Sequence, residues 1–305
     1  MKKLLKSILP VSVWNRLRAA KSYLNRTYPV IRAKIALSLP LKKKPDKIWF
    51  EIHITEHCNL NCMGCNNFSC IADPEFIDVE EFRRDFARMG EIFGHECGRI
   101  YLLGGEPLLH PEINTLMKYA RENFPRGDIY IFTNGILLSG KEADFWETCR
   151  DNDIGILISA YPIKIDTEKI KFLAEKYSVS VKWAWNQTAN ERDTFSVSAI
   201  NLAGNSNVKL TFALCGSAIN CITLKHGRLF TCVFAAHVHH FNKRFHQNIM
   251  ITEADYIDIY DDVSAEGIFK RLCEPIPACR YCIRTGPHRK FRWQISKQEI
   301  TEWLN

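Results

Sequence analysis

The segment Cys58-Asn59-Leu60-Asn61-Cys62-Met63-Gly64-Cys65 sets three thiols three and then two residues apart, directly after the strand-like run Ile48 to Thr55. Thiols at these spacings meet only if the backbone wraps around them, so the segment reads as the cradle of a metal centre. Three cysteines are one short of the four that close an ordinary zinc or iron–sulfur site. A coordination position left open implies chemistry on an exogenous ligand; a zinc knuckle completed by His53 or His57 is the alternative. Far downstream lie Cys215, Cys221, Cys232 and the pair Cys279-Arg280-Tyr281-Cys282. Either of the first two, taken with the other three, makes a complete set for a 4Fe–4S cluster or a four-thiolate zinc ion. Gly104-Gly105-Glu106-Pro107 closes another strand-like run. Two glycines let backbone carbonyls approach a ligand, and a carboxylate suits an ammonium group.

The C-x3-C-x2-C loop after a first strand resembles the signature of the radical S-adenosylmethionine (SAM) enzymes. The resemblance implies that Cys58, Cys62 and Cys65 hold a 4Fe–4S cluster whose open iron SAM chelates. It further implies that an external electron donor such as flavodoxin or ferredoxin drives cleavage of SAM to a 5'-deoxyadenosyl radical, which takes a substrate hydrogen. Gly104, Gly105, Glu106 and Pro107 resemble the family's GGEP motif, which contacts the SAM amino group. Asn134 and Ser159 match positions where members use polar side chains toward SAM's ribose and carboxylate. Gly64 departs from the family, which often has an aromatic residue there near the adenine. Cys215, Gly227 and Cys232, separated by eleven and four residues, resemble the opening of the SPASM and twitch domains. On that resemblance Cys215, Cys232, Cys279 and Cys282 hold one auxiliary 4Fe–4S cluster, and Cys221 stands outside the family's spacing. The additional cysteines of a full SPASM domain are missing, which favours the shorter twitch form. Altogether the resemblance covers residues 48 to about 285.

These groups need strands and helices to hold them. Apolar runs at 48–55, 99–103, 129–133, 154–158 and 179–183 read as strands, and a sixth is expected at 196–202 or 208–212. Between them, helical patterns run from Asp78 to Phe93, from Pro111 through Tyr119, from Lys141 to Arg150 and from an Asp166 cap to Tyr177. Strand–helix alternation with nearly continuous apolar strands predicts an α/β fold with a parallel sheet. Five or six units are too few for a closed eightfold barrel, so a partial (β/α)6 TIM-like barrel is expected, with ligands at the carboxyl ends of its strands. The expected organisation is a basic arm at 1–46, the barrel at 47–205 and a small twitch-type domain at 206–305. A hairpin is expected around His226-Gly227, and Phe291 to Leu304 as a strand and helix closing the second domain.

With 46% hydrophobic and 25% charged residues among 305, the chain suits a globular protein with a sizeable core. Residues 1–45 carry twelve Lys and Arg and no acid, while the remainder has 29 basic and 34 acidic residues. Val13, Leu17, Ala20 and Leu24 recur at helical spacing in that arm. It therefore reads as a basic amphipathic helix, either on an anionic membrane surface or packed on the barrel. A signal peptide does not fit, because Lys6 and Pro10 interrupt the apolar run. No recognition module accompanies the arm's charge, which argues against a nucleic-acid partner. Twelve cysteines clustered in metal-binding spacings indicate a reducing, cytoplasmic setting. Cys70, Cys97, Cys149, Cys221 and Cys273 read as small core residues, and His237, His239, His240 and His246 as an incidental cluster.

Together these features predict a radical SAM oxidoreductase acting on a small molecule such as a sugar derivative, the auxiliary cluster accepting an electron. A radical epimerase or a peptide-modifying enzyme is the enzymatic alternative. A short arm without a strand-rich leader-binding pattern argues against a peptide substrate. An iron–sulfur electron carrier or zinc-binding protein without SAM chemistry is the alternative outside that class.

Overall fold

The computed structural model describes residues 45–184, 194–285 and 288–304. The amphipathic pattern expected in the basic arm lies outside the described residues. Strand β1 (Ile48–Thr55) leads into the cysteine loop, followed by α1 (Val79–Phe93), β2 (Cys97–Gly104), α2 (Ile113–Asn123) and β3 (Asp128–Thr133). Next come α3 (Ala143–Asp151), β4 (Ile154–Ile158), α4 (Thr167–Tyr177) and β5 (Val181–Trp183). After β6 (Thr194–Ser196) and α5 (Val208–Leu214) the chain forms β7 (Ile222–Lys225), β8 (Arg228–Phe230), α6 (Val233–Phe245), β9 (Tyr256–Asp258), α7 (Ala265–Leu272) and β10 (Lys290–Arg292). The helix starts are chemically marked: the Asp78 and Asp166 carboxylates accept from Glu81 N and Lys169 N, as side-chain caps do.

The main sheet has the order β5-β4-β3-β2-β1-β7-β8-β9. Its first six strands are parallel, and β8 and β9 are added antiparallel. This is an α/β fold on a parallel-strand sheet. The sixth parallel strand is not where the alternation placed it. Residues 194–196 pair antiparallel with β10 in a separate ribbon, and 208–214 are helical. Val208, Leu210 and Phe212 alternate like a strand, yet the Asn207 side chain accepts from Leu210 N and starts a helix that buries Thr211 and Phe212. The position beside β1 goes instead to β7, the first arm of the expected hairpin. Four residues carry no periodicity that could separate a parallel strand from a hairpin arm. The sheet consequently runs on across the boundary expected at residue 205.

Alternate residues of β1 divide its two faces. Ile48, Phe50, Ile52 and Ile54 are buried against the helices, whereas Glu51, His53 and Thr55 project from the opposite, polar face. On the helical side Phe86 stacks on Phe82 at 4.0 Å and meets Phe50 and Phe124 at 5.8 Å. All four rings are almost wholly buried. Among the described residues no helix is long and apolar enough to cross a membrane. Phe86→Ala should lower unfolding free energy by about 3–5 kcal/mol, through lost transfer energy and an unfilled cavity; urea denaturation measures it, and a loss below ~1 kcal/mol would contradict this account of the core.

Candidate functional site

The carboxyl ends of β1 to β4 bring together every upstream residue singled out from the sequence. The cysteine loop leaves β1, Gly104 to Pro107 leave β2, Asn134 follows β3 and Ser159 follows β4. The loop wraps through left-handed backbone at Asn61, Gly64 and Phe68, with φ of 51°, 61° and 59°. Phe68 is held there by burial of its ring against Phe234, Phe241 and Trp303. Each sulfur of the loop is supplied with N–H donors. Leu60 N lies 3.4 Å from Cys58 Sγ, Trp293 Nε1 lies 3.1 Å from Cys62 Sγ, and backbone amides of Ser69, Asn67 and Phe68 reach the Cys65 sulfur. Burial pushes Cys58 up to about 11 and Cys62 to about 12, and the sulfurs stand near enough to raise one another further. Such thiols stay protonated at neutral pH unless a positive centre is bound. Sulfurs already provided with donors suit the thiolate form.

The glycines at the end of β2 permit a close backbone approach. A Cβ on Gly104 would lie 2.1 Å from Thr55 O, and one on Gly105 would lie 2.0 Å from His57 O. Their bareness lets two strand-end backbones press together, through Gly105 N to Thr55 O at 2.8 Å and Glu106 N to His57 O at 3.1 Å. Glu106 is fully enclosed. Its Oε1 accepts from Thr133 Oγ1 at 2.6 Å and Leu108 N at 3.1 Å, and its Oε2 from Asn134 N at 2.9 Å. Burial raises its pKa and these donors pull it back. The carboxylate thus ties β2 to β3, and Pro107 starts the short turn that follows. Asn134 is carried to the cysteine loop, its Nδ2 donating to Asn59 Oδ1 at 2.8 Å and lying 3.8 Å from Cys58 Sγ. Ser159 is buried at the neighbouring strand end, its N–H on Thr133 O at 2.9 Å.

The downstream cysteines also converge. Cys215, Cys232, Cys279 and Cys282 line one cavity together with Phe212, Arg284 and other residues. Cys221 is near Cys215 but outside that lining. Burial pushes Cys279 up to about 11 and Cys282 to about 12, with mutual repulsion adding to it. Arg284 is the countercharge. Burial works against its guanidinium, but the four sulfurs around it leave its pKa raised, and its Nε has no hydrogen-bond partner.

Several contributors carried no signal in the sequence. The short strand β10 of the C-terminal segment is followed by residues that lie along the cysteine loop. Met63 N donates to Gln294 O at 2.9 Å, Ser296 N to Asn61 O at 2.8 Å and Trp303 Nε1 to Cys65 O at 2.9 Å. Phe291 fills the space above Gly64, 3.5 Å from where a Cβ would stand. Asn67 donates to Gly104 O at 3.1 Å. Half-buried Glu51, on the polar face, accepts from Thr223 Oγ1 at 3.2 Å, and burial pushes it up to about 7. His237 and His240 are not incidental: both are buried on Glu56. Burial alone would raise Glu56, but charge and hydrogen bonds from these rings hold it well below the usual carboxylate range.

Residues 52–180 match the family model of the Radical SAM superfamily. Curated relatives include GTP 3',8-cyclase of Chlorobaculum tepidum, 33% identical over 90 residues, which are 30% of this chain and 26% of that protein. Pre-heme d1 synthase of Dinoroseobacter shibae is 31% identical over 123 residues, 40% of this chain and 28% of that protein. The chain thus spans little more than a quarter of the length of these relatives. Among solved structures, anSMEcpe with bound AdoMet covers 78% of this chain and 90% of its own at 13% identity and a TM-score of 0.47. BtrN in complex with AdoMet and 2-DOIA covers 82% and 100% at 14% identity and a TM-score of 0.43.

Glu106→Gln would turn one accepting oxygen into a donor facing Thr133 or Asn134. Stability should fall by about 1–3 kcal/mol, read as a lowered urea midpoint with unchanged slope; an unmoved midpoint would remove the carboxylate's tying role.

Proposed function

We propose that the chain is a radical SAM oxidoreductase built on a partial barrel, with Cys58, Cys62 and Cys65 as ligands of a 4Fe–4S cluster. The observation that carries this reading is the loop itself: three donor-supplied sulfurs at the carboxyl end of β1, inside the stretch that matches the Radical SAM superfamily. Bound there with one iron open to SAM, the cluster would supply reductive cleavage to a 5'-deoxyadenosyl radical, the species that removes a substrate hydrogen. The surrounding residues hold the loop and screen it. Asn134 and Asn67 fix its two flanks to the ends of β3 and β2, and Ser159 offers a hydroxyl at the next strand end. Half-buried Tyr101, Leu103, Tyr130 and Phe132 line the polar face of the sheet, a surface suited to a small molecule.

Cys215, Cys232, Cys279 and Cys282 would hold a second, twitch-like 4Fe–4S cluster, which with four thiolates has no free iron and would supply electron acceptance. Arg284 beside them favours bound anionic sulfur. The net reaction is then dehydrogenation of a small molecule, a sugar derivative being the leading class. Loss of an electron from a substrate radical leaves a proton to be taken up. Glu51, poised near neutrality on the same face, is the chain's candidate acceptor. A second reading, radical ring closure in place of dehydrogenation, is favoured by the relatives that are named as a cyclase and a synthase. The product's mass separates the two, since only dehydrogenation removes two hydrogens.

Anaerobically reconstituted protein given SAM and dithionite should form 5'-deoxyadenosine, and Cys58→Ala should reduce this at least about 100-fold; equal formation by the variant would overturn the assignment. Cys279→Ala should lower bound iron from about eight to about four per chain while 5'-deoxyadenosine formation persists, and full iron retention would remove the second cluster. For Glu51 the sign follows from the raised pKa: an acceptor must be ionised, so turnover should rise with pH through about 7. Glu51→Gln should abolish that rise, and an unchanged profile would exclude Glu51.

A further inference from the structure

Between the cysteine loop and α6 lies a buried polar knot that the reaction above does not use. Its centre is Glu56, whose Oε1 accepts from Lys225 Nζ at 2.6 Å. Its Oε2 lies 3.0 Å from His237 Nδ1 and 2.6 Å from His240 Nε2. His53, which projects from β1 toward α6, stacks on the His237 ring at 3.7 Å between centroids. His53 is 5% exposed and His237 fully buried. Even so, both ring nitrogens of His53 and Nε2 of His237 lack any hydrogen-bond partner. A buried nitrogen in that state has given up hydration for nothing. Three of them in adjacent rings beside a carboxylate mark a place that another species completes.

We propose that His53, Glu56 and His237 form a binding site for a divalent transition-metal ion, distinct from both groups of cysteines. One potential ligand atom from each residue lies within 4.8 Å of the others. Two imidazoles and one carboxylate are a donor set for borderline ions such as Zn2+ or Fe2+. Lys225, on the second carboxylate oxygen, stands where an outer partner would orient a ligating carboxylate. As placed, the two stacked rings are 20° from parallel, so an ion held by both requires one ring to turn about its Cβ–Cγ bond. For His53 that rotation breaks no hydrogen bond. An ion here would fasten α6, which starts directly after Cys232, to the end of β1, which runs into Cys58. It would draw on neither group of cysteines.

The test uses the full chain, anaerobically reconstituted with iron and sulfide, then equilibrated with Zn2+ and desalted. Zinc, iron and sulfide are measured by mass spectrometry and colorimetry. The parent should retain about one zinc per chain. His53→Phe and His237→Phe should each bind zinc roughly tenfold or more weakly with iron and sulfide unchanged. If His237→Phe fails to fold, His53→Phe, whose ring has no hydrogen bond to lose, decides the matter. Cobalt(II) in place of zinc checks the donors: absence of a thiolate-to-cobalt charge-transfer band supports the site, and its presence overturns it. A parent that retains no zinc, or variants that retain as much as the parent, would also overturn it, leaving buried water as the partner of these nitrogens. SAM cleavage is not a readout, so the result is independent of the proposed reaction.

Discussion

The close contact between the end of β2 and the turn after β1 is the constraint on which the site depends. Gly105 N on Thr55 O and Glu106 N on His57 O fix the backbone just before Cys58, and no side chain larger than hydrogen fits at Gly104 or Gly105. From that contact the Glu106 carboxylate reaches across to Thr133 and Asn134, so three strand ends are tied together. Asn134 then returns to the cysteine loop through Asn59. A buried carboxylate with three donors is costly to desolvate but also costly to leave half-satisfied, which makes the arrangement nearly all-or-none. Backbone and carboxylate geometry therefore position the start of the cysteine loop.

The second constraint comes from the other end of the chain. Residues 293–303 run along the cysteine loop, and Trp293 supplies the N–H on Cys62 Sγ. Buried Glu302 accepts from Ser296 Oγ at 2.6 Å and Lys297 N at 2.6 Å, shaping this segment so that it fits the loop. Trp303 joins Phe68, Phe241 and Phe245, so the same segment also anchors α6. Elements more than 200 residues apart thus share one packing unit around Cys65.

What could be read from the sequence follows from range. The strands β1 to β4, the capped helices and the cysteine spacings are local signals, each complete within about twenty residues, and they lie close to where their patterns put them. The sixth parallel strand was misplaced because its identity depends on pairing with β1 rather than on its own four residues. Val208 to Phe212, one of two places expected for that strand, is helical: alternation over so short a stretch fits a strand and a one-sided helix equally, and the Asn207 cap decides between them. The partners of Glu106, Thr133 and Asn134, become its neighbours only once β2 and β3 are side by side.

The histidines make the same point more sharply. His237 and His240 are three residues apart on α6, a spacing that by itself means only that they share a helix face. Their partner Glu56 is about 180 residues earlier, and Lys225 comes from β7, the strand whose place beside β1 could not be foreseen. Had β7 joined the sheet elsewhere, Glu56 would have lost the ammonium on its Oε1 and kept only the imidazoles on its Oε2. The position of β7 and the chemistry of the knot are therefore linked: Lys225 and the two imidazoles together permit a carboxylate to sit two residues from Cys58, inside the protein.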